Sequence, residues 1–149
     1  MSPAEAVVAR LEQVTPLASL VSERIYMLKL PQHPTLPAVR VQRISSMRDQ
    51  HLRGPAFTAK SRVQVDAYAA EVPGQDPYAA VQAVADAIRG DGLGHSASGL
   101  WGWIGILGTP GFEMKNAELV SDDDPFYEAG ELRAWRIRQD YMIHWTQGA

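Results

Sequence analysis

In "SRVQVDAYA" (residues 61–69) Val63, Val65, Ala67 and Ala69 alternate with Arg62, Gln64, Asp66 and Tyr68. That period of two belongs to a strand with one apolar and one polar face. The pattern occurs twice more. Residues 39–45 set Val39 and Val41 against Arg40 and Gln42, and near the end of the chain Trp135, Ile137, Tyr141, Ile143 and Trp145 alternate with Arg136, Arg138, Asp140 and His144. Three long strands are predicted, with Val39, Val41, Val63, Val65, Ile137, Tyr141 and Ile143 turned to a core. Shorter strands are predicted at residues 24–28 and in "LWGWIGILG" (residues 100–108), where Trp101 and Trp103 fall opposite Ile104 and Ile106.

Helical spacing appears in two places. Val7, Val8, Leu11 and Val14 form a stripe behind a start signal in which Ser2 caps, Pro3 takes the first helical position and Glu5 completes a capping box. Pro16 should end or kink that helix, with residues 17–21 adding a turn. Asp76-Pro77 opens the second helix, Tyr78, Val81, Val84, Ala85 and Ile88 make its stripe, and Gly90 ends it. Pro31, Pro34 and Pro37 mark an extended connection, and residues 90–99 a flexible one. Residues 47–60 are too long for a tight hairpin turn and long for an unstructured link. With Gly54-Pro55 to break regular structure, they read as a mobile loop. No repeat or domain linker interrupts this order. The pattern predicts one α+β domain over residues 1–149: a mostly antiparallel sheet of four to five strands, two helices on one of its faces, and a long loop between strands two and three.

Composition adds little constraint. The chain has 149 residues, 46% hydrophobic and 21% charged, values of an ordinary globular domain. No apolar run reaches the ~20 residues of a membrane span. No secretion signal is read at the start, and the absence of cysteine suits a reducing compartment. Charge is more telling, because it is separated. Residues 40–62 hold six bases, Arg40, Arg43, Arg48, Arg53, Lys60 and Arg62, against Asp49 alone. The balance there is +5, so the rest of the chain sums to −8 within a total of −3. Such separation suits docking or steering, and equally a solvated basic hairpin.

Candidate chemistry is thin. His33, His51, His95 and His144 are too far apart in sequence for any pair to share a helix or strand face, so no metal site is expected. Asp122, Asp123 and Asp124 lack the glycine and glutamate of a calcium loop. "GHSAS" (residues 94–98) ends in Ser98 where a nucleophile elbow needs glycine, and it follows a helix end instead of a strand. Gly92, Gly94 and Ala97 match a loose dinucleotide fingerprint in the wrong structural order. Trp135 points away from Arg136 and Arg138 on a strand, which argues for core packing over base stacking. No catalytic residue, cofactor or metal is predicted.

The conjunction of "RIYMLKLPQ" (residues 24–32), "LPAVRVQRIS" (36–45), "RVQVDAYA" (62–69) and "RIRQDYMIHW" (136–145) resembles, in order and spacing, the tail completion or tail terminator proteins of long-tailed bacteriophages and gene transfer agents. Residues 90–127 are longer and richer in glycine than the family suggests. The resemblance implies a structural virion protein assembled in the host cytoplasm. It would form a ring, usually of six copies, that caps the tail tube, joins it to the head connector and leaves a channel through which DNA passes without specific binding. Expected partners are further copies of the chain, the tail tube protein and the connector, with no membrane.

In such a ring Arg40, Gln42, Arg62, Gln64, Asp66, Arg136, Arg138 and Asp140 would meet a neighbouring subunit or line the channel. The loop carrying Arg48, Leu52, Arg53, Phe57 and Lys60 would dock on the tube or an adjacent ring. The rival readings are a neck or head-completion protein of the same joint, a small cytoplasmic ligand-binding or enzyme domain, and, for the polar face, simple solvation.

Overall fold

The protein is described by a computed structural model over residues 1–51, 54–92, 99–108, 111–128 and 133–147; at 47–51, 54–58, 128 and 147 the description extends to the backbone only. Its elements in chain order are helices α1 (Pro3–Glu12) and α2 (Thr15–Val21), strands β1 (Ile25–Met27), β2 (Ala38–His51) and β3 (Gly54–Ala70), helix α3 (Pro77–Arg89), and strands β4 (Gly105–Leu107), β5 (Phe112–Asp122), β6 (Phe126–Glu128) and β7 (Ala134–Gln147).

The two expected N-caps are in place. The Ser2 hydroxyl accepts from the Glu5 N–H at 3.1 Å, and the Asp76 carboxylate from the Tyr78 N–H at 3.0 Å. Gly90 ends α3 at φ 73°, a conformation that suits glycine. Pro16 sits in the first turn of a separate helix, α2, so the described residues hold three helices and not two. Tyr78, assigned to the buried stripe, is 55% exposed.

The strands form one seven-stranded sheet in the order β1-β2-β3-β7-β5-β4, with β6 continuing beside β7. All pairs are antiparallel except β1 with β2. β3 and β7 form its spine, paired from Thr58 with Thr146 to Ala70 with Ala134. The expected inward residues are all buried: Val39, Val41, Val63, Val65, Ile137, Tyr141 and Ile143 join the apolar residues of the three helices in one core. One charged group enters that core. Arg10 is 2% exposed, lies 4.7 Å over the Trp103 ring and donates to the Gly99 carbonyl at 3.3 Å.

Three expectations are corrected. The sheet has seven strands where four to five were predicted, because residues 112–122 form β5 and residues 126–128 form β6. Register shifts between Met114 and Asn116 and between Leu119 and Ser121 break the alternation of β5, which hides the strand from a period-two reading. The strand predicted over residues 100–108 shrinks to β4. Residues 100 and 101 instead turn back on α3, where the Leu100 and Trp101 N–H groups donate to the Ile88 and Arg89 carbonyls at 2.7 and 3.1 Å. Trp101 is 38% and Trp103 8% exposed, so the two rings do not share a face. Finally, the long loop after strand two is mostly strand. Met47 pairs with Lys60, Arg48 with Ala59, Gln50 with Pro55 and His51 with Gly54, across bulges between Arg43 and Ser45 and between Arg48 and Gln50. Those bulges scramble the polarity pattern while the ladder continues.

Candidate interaction surface

All three helices pack on one face of the sheet, and its opposite face is built from the polar positions of β2, β3 and β7. Register brings Arg40 beside Asp66 and Asp66 beside Arg138, Gln42 beside Gln64 and Gln64 beside Asp140. Asp66 is wholly buried. The Arg40 Nε donates to its Oδ2 at 3.1 Å, the Gln64 amide to the same oxygen at 3.0 Å, and the Arg138 Nε to Oδ1 at 3.1 Å. A carboxylate buried under a face without helices is tenable because two guanidinium groups and an amide replace its water. Arg62 donates to Asp140 at 2.6 Å. Asp140 is 9% exposed, and its Oδ1 has no protein donor.

Two cation–aromatic contacts extend this layer. Arg40 stands 5.9 Å from the Tyr68 ring centre and Arg136 5.3 Å from that of Phe126. Tyr68 is 1% exposed although it sits at a polar position, with the Arg40 guanidinium over its ring. All eight residues expected on this surface therefore lie together. The acids are held beneath, and Arg40, Arg62 and Arg138 keep 22%, 40% and 34% of their side chains exposed.

The second expected surface, the segment carrying Arg48, Leu52, Arg53, Phe57 and Lys60, is the far end of the β2–β3 ladder. Among the described residues β7 accompanies β3 only to Thr58, and the pairs of Gln50 with Pro55 and His51 with Gly54 run beyond it as a two-stranded arm. Lys60 is exposed at the base of that arm. The side chains of Arg48 and Phe57, and Leu52 and Arg53 altogether, lie outside the described residues.

Among the described residues no three His, Asp or Glu side chains gather as a metal site. His144 lies 3.5 Å from Glu118 on the exposed side of β7 and β5. No described helix is long and apolar enough to cross a membrane.

The chain matches the family model of tail completion protein gp17 over residues 5–142. It belongs to that family. No match was found among curated proteins. A chain from a solved structure described as "Virion of native gene transfer agent (GTA) particle" is similar at 14% identity and a TM-score of 0.56, over 98% of this chain and 99% of that one. At that identity the likeness is one of fold. Membership of the tail completion family makes this a structural tail protein of a virion, one that works by assembling with other virion proteins and not by catalysis.

Proposed function

We propose that this chain forms a ring that terminates the tail tube and joins the tail to the head connector, with the polar face of β2, β3 and β7 turned toward the passage for DNA and the three helices turned outward. The observation that carries this reading is the pairing of Asp66 and Asp140 with arginines of their own chain. A face whose acids are already neutralised needs no partner to complete it. Covering it with a neighbour would strip water from Arg40, Arg62 and Arg138 without offering them new anions. Lining a water-filled passage leaves them solvated.

In this arrangement the β2–β3 arm projects along the strand direction, past the end of β7, and is the element that reaches the tail tube or an adjacent ring. The test is native mass measurement and negative-stain microscopy of the purified protein, alone and with tail-tube ends. A ring with an open centre, seated on tube ends, is expected. A protein that binds the connector but ignores tube ends would be a neck protein, and one that stays monomeric under both conditions would overturn the ring.

A further inference from the structure

The sheet ends in two half-covered edges. β1 covers β2 only from Val39 to Val41, and from Gln42 onward β2 has no neighbour on that side among the described residues. β4 covers β5 only from Phe112 to Met114. The Gly102 N–H reaches the Ala117 carbonyl at 2.7 Å, and from Glu118 to Asp122 no described strand lies beside β5 on its outer side.

Strand direction makes the two edges complementary. β2, β3, β7 and β5 alternate in direction, so β2 and β5 run opposite ways. The short strand on each edge covers the beginning of its long strand, and the two coverings therefore lie at opposite ends of the sheet. Rows across the ladder fix the levels: Val41 aligns through Val65 and Gln139 with Asp122, and Arg43 through Val63 and Tyr141 with Leu119. Set side by side with strands aligned, Glu118 to Ser121 of one copy face the bare part of β2 just after Val41 of the next, β1 lies beyond them from the level of Asp122, and β4 stands where β2 is uncovered. Antiparallel alternation then continues from β5 of one copy to β2 of the next.

Chemistry matches this geometry. On the β1–β2 edge Lys29 and Arg43 are exposed; on the β5 edge Glu118, Asp123 and Asp124 are, while Asp122 is already held by Arg89 at 3.0 Å. Exposed apolar side chains occur on both edges: Met27, Leu28 and Ile44 on one, Ile104, Ile106 and Val120 on the other. Beside β1 and the start of α1 lies a groove of ≈ 310 Å³ lined by Ser2, Ala4, Met27, Leu28, Val41 and Arg43. Val120, 45% exposed, sits between Leu119 and Ser121 and so on the level of that groove. A twofold contact would oppose acid to acid, whereas a head-to-tail contact opposes acid to base.

We infer that a second copy of this chain docks its β4–β5 edge on the β1–β2 edge of the first, seating Val120 in the groove by β1 and bringing Asp123 and Asp124 toward the basic edge that carries Arg43 and Lys29. Exposed edges that would otherwise invite uncontrolled pairing are thereby closed. The inference rests on the ring reading and names the contact between its copies.

The chain has no cysteine, so an introduced pair is unambiguous. Within one chain positions 43 and 120 are three strand spacings apart, about 14 Å, too far for a disulfide. Under oxidation the Arg43→Cys, Val120→Cys double variant should run as a ladder of covalent multimers on a non-reducing gel, while each single variant stays monomeric. Single variants that form dimers as readily as the double one would overturn the head-to-tail contact. Rings of native mass that yield no ladder would overturn these edges and leave the ring intact, and a protein monomeric even on tube ends would overturn both. As a second measurement, Arg43→Glu should raise the concentration needed for assembly at least tenfold, and adding Asp123→Lys should restore it; no recovery counts against the charge pairing.

Discussion

Arg138 Nε and Asp66 Oδ1 lie 3.1 Å apart across the β3–β7 ladder, and Arg40 holds the other oxygen of the same carboxylate from β2. Three strands are tied by one buried anion on the face that no helix covers. Removing the carboxylate leaves two guanidinium groups facing each other, so Asp66→Ala should destabilise the fold by about 2–3 kcal/mol, discounted from the cost of breaking a deep pair because both arginines reach water. Arg40→Ala should cost about 1 kcal/mol, since Arg138 still pairs with Asp66. Urea unfolding at fixed protein concentration reads both, and equal losses would argue against this ordering.

A second buried link joins β7 to the start of the arm. The Trp145 indole N–H donates to the Ser61 hydroxyl at 2.9 Å, and that hydroxyl lies 2.6 Å from the Ser46 hydroxyl. Trp145 also stacks on Phe112 at 4.9 Å. Ser61→Ala leaves the indole N–H buried without its acceptor and should cost about 1–2 kcal/mol, whereas Ser46→Ala should cost less because Trp145 keeps its partner. Thermal unfolding of the two variants makes the comparison.

Tyr141 contributes a pH-dependent share of stability in the alkaline range. Burial pushes its phenol well above the ordinary range, with the Asp122 carboxylate adding to the effect. A raised folded value means that its contribution to stability is fully present below the unfolded value, near pH ~10, and is lost as pH rises beyond it, because the unfolded chain releases its proton first. Phenolate absorbance should show a tyrosine fraction that does not ionise until the protein unfolds, and Tyr141→Phe should reduce that fraction by one residue. A smooth titration of all tyrosines in the folded protein would contradict this environment.

The same structure shows which signals in the chain were readable. Val63 and Val65, with the run from Trp135 to Trp145, alternate without a bulge because β3 and β7 pair in unbroken register, and the Ser2 and Asp76 caps act through contacts two or three residues away. β5 was hidden for a physical reason: Lys115 and Val120 each add a residue to the ladder, so no single period runs from Phe112 to Asp122. The β2–β3 arm looks like a loop in the sequence for the same reason, with Gly54-Pro55 adding a false stop. The polar face was legible as a set of residues but not as a charge layer. Whether Asp66 faces water or sits under Arg40 and Arg138 depends on the register of three strands, which no local pattern encodes.

The arm should be separable from the fold. Leu52→Ala together with Phe57→Ala changes the two large apolar residues of the segment between Met47 and Lys60 and should leave unfolding and ring formation unchanged while weakening attachment to tail tubes. Each buried phenylalanine at such a contact is worth roughly 1.5–3 kcal/mol, multiplied around a ring. Co-sedimentation with tubes measures it. If attachment persists, and a change at Arg138 abolishes it instead, docking belongs to the sheet face.

A protein that terminates the tail tube controls tube length. Tail-tube protein polymerised with and without this chain should give, by electron microscopy, short tubes closed by a ring at one end when the chain is present and long uncapped tubes when it is absent. Equal length distributions, with no density added at tube ends, would contradict the account.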